Sequence, residues 1–203
     1  MRNRPTISRG KRAAAVLLAM VLVGSIATPA FAHEENEGFL TSDPVFITMA
    51  PGLSGDAYAK ALISTGDYVG DFMFEGIPDG IGVRPGANGD DTVDVYVAHE
   101  QTTIPFFGSR DFQDASISML TLSTKDNNRG AVLDASVPLG PEDEFLRFCS
   151  ASIAGPEEGL DDYVFFTGEE TSDTVDGTQR GFAVVLNTDT GESTAVPGMG
   201  RLN

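Results

Sequence analysis

The sequence has no tryptophan, one cysteine and two histidines in 203 residues. A single cysteine, Cys149, excludes an internal disulfide. Either its partner lies beyond Asn203 or it is a buried thiol. His33 falls at an expected cleavage point, so His99 is the only histidine expected in the folded part. No Gly-x-Ser-x-Gly elbow occurs and the sequence places no serine beside His99, which leaves a nucleophilic triad little support. Basic residues are scarce, 13 against 30 acidic, and after residue 12 no segment is rich in Lys or Arg. Long apolar runs are missing too, except for residues 13–27.

That run is flanked in a telling order. Arg2, Arg4, Arg9, Lys11 and Arg12 precede it, and Thr28-Pro29-Ala30-Phe31-Ala32 ends it with small residues two apart. This is the charge, apolar core and small-x-small order of a cleavable secretory signal peptide, with cleavage expected after Ala32. Fifteen or so apolar residues fall short of the roughly 20 that cross a bilayer as a helix, and no second run follows, so no membrane span is expected. Lys11-Arg12 is not a twin-arginine pair, which favours the general secretory route. The protein is expected to be secreted, periplasmic or on the cell surface. Five of the basic residues leave with the signal, so residues 33–203 carry eight basic against 30 acidic residues, a net charge of −22. Such a surface repels nucleic acid and anionic membranes and favours divalent cations, while also serving plain solubility.

Residues 33–203 suit one domain of ordinary size. Short segments rich in Val, Ile, Phe and Tyr, bounded by Gly, Asp, Asn and Pro, predict strands at 45–49, 68–74, 93–98, 116–123, 131–137, 163–167, 181–187 and 193–196. One helix is expected, at 57–63. Two parts of the chain resemble each other: VYVAHEQT (95–102) aligns with VFFTGEET (164–171) at a separation of 69, and LTLSTKD (120–126) with VVLNTDT (184–190) at 64. The turn sequences GIPDG (76–80) and GPEEG (155–159) stand before them in the same order. Repeated units of about 65 residues with four short strands each predict an all-β chain, a partial β-propeller of about two blades with long loops. A β-sandwich with chance similarity is the competing architecture. Because propellers need typically four to eight blades, residues 33–203 are expected to be the N-terminal part of a longer propeller domain.

In both units an acidic residue follows a buried strand: His99-Glu100 in the first, Glu169-Glu170 in the second. Strand ends from successive blades converge on a propeller axis, so Glu100, Glu169 and Glu170 are candidate ligands for a hard cation such as Ca²⁺, and His99 would admit a transition metal. The competing reading is that each Glu accepts hydrogen bonds from turn N–H groups of its own blade. Asp79, in the turn sequence Pro78-Asp79-Gly80 just ahead of the first repeated strand, is a further candidate ligand, or simply a turn former. Acid-and-amide loops at 88–91, 141–144, Asp161-Asp162 and Asp173 lack EF-hand spacing.

The segments GIPDGIG (76–82), VYVAHEQT, FFTGEE (165–170) and GMGRLN (198–203) resemble the PhoX-like family of exported bacterial proteins, and the similarity runs through most of the part after the signal. The resemblance implies a β-propeller with calcium-dependent alkaline phosphatase activity and an axial site of iron and calcium held mainly by carboxylates. It maps Glu100, Glu169 and Glu170 to the site region and makes a phosphate ester the expected small-molecule partner. Two departures stand out: Gly168 occupies the place where the family's iron-binding cysteine is expected, and the twin-arginine export signal is missing. The reading that emerges is a metal-dependent phosphoesterase. Its alternative is a non-catalytic, calcium-stabilised extracellular propeller in which the same acids are structural.

Overall fold

A computed structural model of the chain describes residues 37–50, 52–53, 57–100 and 115–201. The expected signal peptide and residues 101–114 lie outside them. The chain is all-β. Its strands, in order, are β1 (Tyr68–Val69), β2 (Phe72–Met73), β3 (Pro78–Pro85), β4 (Thr92–His99), β5 (Ser116–Ser123), β6 (Val132–Leu139), β7 (Phe148–Ala154), β8 (Val164–Glu169), β9 (Thr174–Val175), β10 (Thr178–Gln179), β11 (Phe182–Asn187) and β12 (Ser193–Arg201). They form two four-stranded antiparallel meanders, β3-β4-β5-β6 and β7-β8-β11-β12, and two small hairpins, β1-β2 and β9-β10. No sheet closes on itself.

The first strands of the two meanders lie against each other because β3 alternates glycine with larger residues. Gly80, Gly82 and Arg84 face the second sheet, whereas Ile81 and Val83 face away. A Cβ on Gly80 would lie 2.3 Å from the Ser150 carbonyl group, and one on Gly82 would meet the Phe165 ring at 3.0 Å. Any side chain at 80 would push β3 off β7. Between the sheets, Tyr96, Ala98 and Ile117 pack on Phe148, Phe165, Val184 and Leu186, all essentially buried. Each large apolar side chain fully buried in this way contributes about 1.5–3 kcal/mol. The other face of the first sheet carries Val97, Leu120, Leu122 and Val132, covered by Phe39, Leu62, Ile63, Val69, Phe72 and Phe74 from the chain ahead of it.

At the far end of β3, Arg84 ties the sheets together. Its guanidinium pairs with buried Asp94 on β4 at 3.5 Å and with Asp189 beyond β11 at 2.5 Å, and it lies over the rings of Tyr96 and Tyr163. Asp94 also accepts hydrogen bonds from the Ala87 N–H and the Thr121 hydroxyl.

The repeat seen in the sequence is real as architecture, although its register shifts. The segments 95–98 and 164–167 each occupy the second strand of a meander, and 120–123 and 184–187 the third. However, Gly82 pairs with Tyr96 as Ser152 pairs with Phe166, which makes the separation 70. The expected value of 69 would turn each side chain to the wrong face, since strand side chains alternate with period two. In the third strands, Leu120 opposite Val95 corresponds to Leu186 opposite Phe165, a separation of 66 rather than 64. The turn match fails: GIPDG leads into a first strand, whereas GPEEG forms a 3₁₀ turn between first and second strands.

Other local expectations also change. Residues 45–49 form no strand; Val45, Phe46 and Ile47 are exposed and join no sheet. Residues 57–63 are not helical but irregular, with Leu62 and Ile63 packed beneath the first sheet and the Leu62 carbonyl accepting from the Thr41 N–H. Seven residues are too few for a helix to persist on propensity. Residues 68–74 split into the β1-β2 hairpin around Gly70, whose φ of 59° turns the chain.

Candidate metal centre at the paired strand ends

The separation of 70 brings two strand ends into equivalence. Ile77 and Arg147, just ahead of β3 and β7, both have left-handed backbones, with φ of 42° and 34°. The Ile77 carbonyl accepts the Glu100 N–H at 3.1 Å, and the Arg147 carbonyl accepts the Glu170 N–H at 2.9 Å. Asp79 thus corresponds to Cys149, His99 to Glu169 and Glu100 to Glu170. Both first strands have a bulge just beyond these residues, and Ser150 in the second has φ of 61°. Non-glycine residues held at positive φ cost roughly 1–3 kcal/mol each and cluster where structure serves function.

Because β3 and β7 pack closely, four acidic or thiol side chains and one guanidinium share this end of the fold. Asp79 lies beside Glu100 and accepts a hydrogen bond from the Cys149 thiol. Arg147 reaches Glu100 Oε2 from Nε at 4.0 Å and Glu170 Oε2 from Nη1 at 3.9 Å. Burial, together with the neighbouring charges of Asp79 and Glu170, pushes the Glu100 carboxyl up against the opposing pull of Arg147. Burial, the hydrogen bond to Asp79 and the three nearby carboxylates push the Cys149 thiol up to about 11. At neutral pH the thiol therefore keeps its proton and donates a hydrogen bond to Asp79. Three carboxylates face one guanidinium, an excess of negative charge that a cation would relieve.

Three of the five residues singled out in the sequence, Asp79, Glu100 and Glu170, meet here. Glu169 does not. Its carboxylate is 1% exposed and points back into its own sheet, where Oε1 accepts the Leu146 N–H at 3.0 Å and Oε2 the Gly181 N–H at 3.1 Å, with Arg180 3.9 Å away. This is the turn-satisfying placement that the competing reading gives to Glu169. His99 also faces away from the cluster, on the side of the first sheet that the N-terminal segments cover. Its ring meets Phe74 edge-on at 5.0 Å, Nδ1 is 3.2 Å from the Gly76 carbonyl, and Nε2 is buried without a partner among the described residues. Burial lowers its pKa to about 4. The structure does place a serine beside it, since Ser116 opposes His99 across β4 and β5. That hydroxyl is wholly buried and donates to Glu75, so it is no nucleophile.

Two participants were missed. Arg147 and Cys149 both lie outside the repeated sequence segments. Cys149 in fact pairs directly with Gly168, the position where a cysteine was expected, so a thiol stands beside that place on the neighbouring strand. It is free and half-buried. The signal that could have found both residues is the 70-residue register, which lays Arg147 over Ile77 and Cys149 over Asp79.

As donors, three carboxylates suit Ca²⁺ and a thiolate suits iron, so the chemistry of the set fits the expected metals. The spacing is looser: among the described residues, no three His, Cys, Asp or Glu side chains come together closely enough to hold an ion. Of the acidic loops elsewhere, Asp143 accepts the Gly140 N–H within its own turn and Asp162 accepts from the Asn187 side-chain amide. Among the described residues no helix is long and apolar enough to cross a membrane. Compared with known protein families, with characterised proteins and with solved structures, the chain finds no match.

Proposed function

We propose that this chain is part of an exported PhoX-like β-propeller and that the cluster at the start of β3 and β7 is the metal centre of a phosphoesterase. The single observation that carries the reading is that two equivalent strand ends bring Asp79 beside Glu100 and Cys149 and set Arg147 between Glu100 and Glu170. Two consecutive meanders with matching faces, packed first strand to first strand, support the propeller. Asp79, Glu100 and Glu170 would hold Ca²⁺, and Cys149, once its proton is displaced, would favour iron. The metal would supply polarisation of phosphoryl oxygens and activation of the attacking oxygen. The chain's own part is to gather the carboxylates on strained, rigid strand ends and to place Arg147, whose planar guanidinium suits phosphate oxygens, at the same spot.

The test is hydrolysis of p-nitrophenyl phosphate by the exported protein with Ca²⁺ and with chelator. Calcium-dependent turnover that falls at least tenfold in Glu170→Gln and is unaffected in Asp162→Asn supports the reading; equal rates in chelator and in all variants overturn it. A calcium-stabilised propeller without catalysis is the second reading. It is favoured by one observation: Arg147 already stands between Glu100 and Glu170, as a structural counter-ion would.

A further inference from the structure

At the opposite end of the first sheet from the acidic cluster, the β3–β4 turn and the β5–β6 turn enclose a cleft of about 440 Å³, within the roughly 300–1,000 Å³ of small-molecule sites. Three amides, Asn88, Asn127 and Asn128, and two hydroxyls, Thr92 and Ser123, line it, together with Lys125 and the acids Glu37, Asp90 and Asp91. Its floor is fixed by internal hydrogen bonds: Ser123 Oγ to Asn128 Oδ1 at 2.5 Å, Asn128 Nδ2 to the Glu37 carbonyl at 3.3 Å, and Thr92 Oγ1 to the Gly89 carbonyl at 2.9 Å. The amides of Asn88 and Asn127 stand exposed at the rim, with no hydrogen-bond partner among the described residues.

We propose that this cleft binds a neutral polyhydroxylated ligand, a mono- or disaccharide. An anion meets three carboxylates against one ammonium and is repelled. A metal ion is disfavoured because the Lys125 ammonium lies 3.8 Å from the Asp91 carboxylate and already supplies the positive charge there. A sugar hydroxyl both donates and accepts, and a side-chain amide offers both functions in one plane, with carboxylates and an ammonium adding one of each kind. The lining holds no aromatic platform, so recognition rests on hydrogen bonds. This site is independent of the proposed phosphoesterase centre.

The test is a heteronuclear NMR titration of the isotope-labelled protein with glucose, galactose and lactose, beside Ca²⁺ and inorganic phosphate as controls. The proposal requires saturable shifts for at least one sugar, confined to signals of residues 88–92 and 123–128, and a severalfold loss of affinity in Asn88→Ala/Asn127→Ala with an unchanged melting temperature. Both residues are exposed, so that variant keeps its fold. No saturable shift with any of the three sugars, shifts caused by Ca²⁺ or phosphate instead, or full affinity in the double variant would each overturn it.

Discussion

At the residue scale, the acids of the cluster were readable because a Glu recurs after a buried strand. Which of two adjacent acids points into the site was not readable. Glu169 and Glu170 differ by one position on a strand end, and alternation alone sends one into its own sheet and the other toward Arg147. Cys149 and Arg147 were hidden because their neighbours are distant in sequence and meet them only through the β3–β7 packing that Gly80 and Gly82 permit. His99 was visible as the lone folded histidine, but its burial was not. That burial has a pH consequence. Its folded pKa of about 4 lies below the ordinary 6.5, so in that interval the unfolded chain binds the proton and the folded one does not. Stability due to His99 is fully present above pH 6.5 and falls as the pH drops toward 4, by about 3 kcal/mol over the interval at 1.36 kcal/mol per unit. Urea unfolding from pH 7 to pH 4 measures it. His99→Gln should flatten that part of the profile, and an unchanged slope would mean that another group titrates there.

At the scale of elements, strands built from β-branched and aromatic residues were legible nearly to the residue, as 116–123 and 93–98 show against β5 and β4. The first strands were not. β3 reads Pro-Asp-Gly-Ile-Gly-Val-Arg-Pro and β7 Phe-Cys-Ser-Ala-Ser-Ile-Ala, and their glycines and small residues look like turns. Those small residues are what close contact between two sheets requires. Conversely, 45–49 has strand composition but no edge to pair with, and propensity without a partner makes no strand. The junction between the sheets also rests on Arg84. Arg84→Met strips the buried Asp94 of its counter-ion and should cost about 3–5 kcal/mol. Arg129→Ala removes an exposed pair with Asp126 and should cost far less than Arg84→Met, because solvent screens exposed pairs. Chemical denaturation of the two variants checks the contrast, and equal costs would refute the role given to Arg84.

At the scale of the whole molecule, the all-β class and the duplication were in the sequence, since punctuation by Gly, Asp and Asn and the recurrence of two motifs need no tertiary information. The exact register was not: a four-residue match tolerates a slip of one, whereas a sheet with two distinct faces does not. Corrected to 70, the repeat places two strand ends side by side and turns scattered acids into one cluster. The account stands on that cluster taking up a divalent cation, and the most direct measurement is the melting temperature with and without Ca²⁺. Binding to the folded state alone adds about 2.7 kcal/mol at a hundredfold excess over Kd. Calcium should therefore raise the melting temperature of the native chain and leave that of Asp79→Asn/Glu100→Gln/Glu170→Gln nearly unchanged. Glu169→Gln should be less stable throughout yet keep the full calcium shift. A calcium shift that survives in the triple variant, or vanishes only in Glu169→Gln, would contradict the assignment.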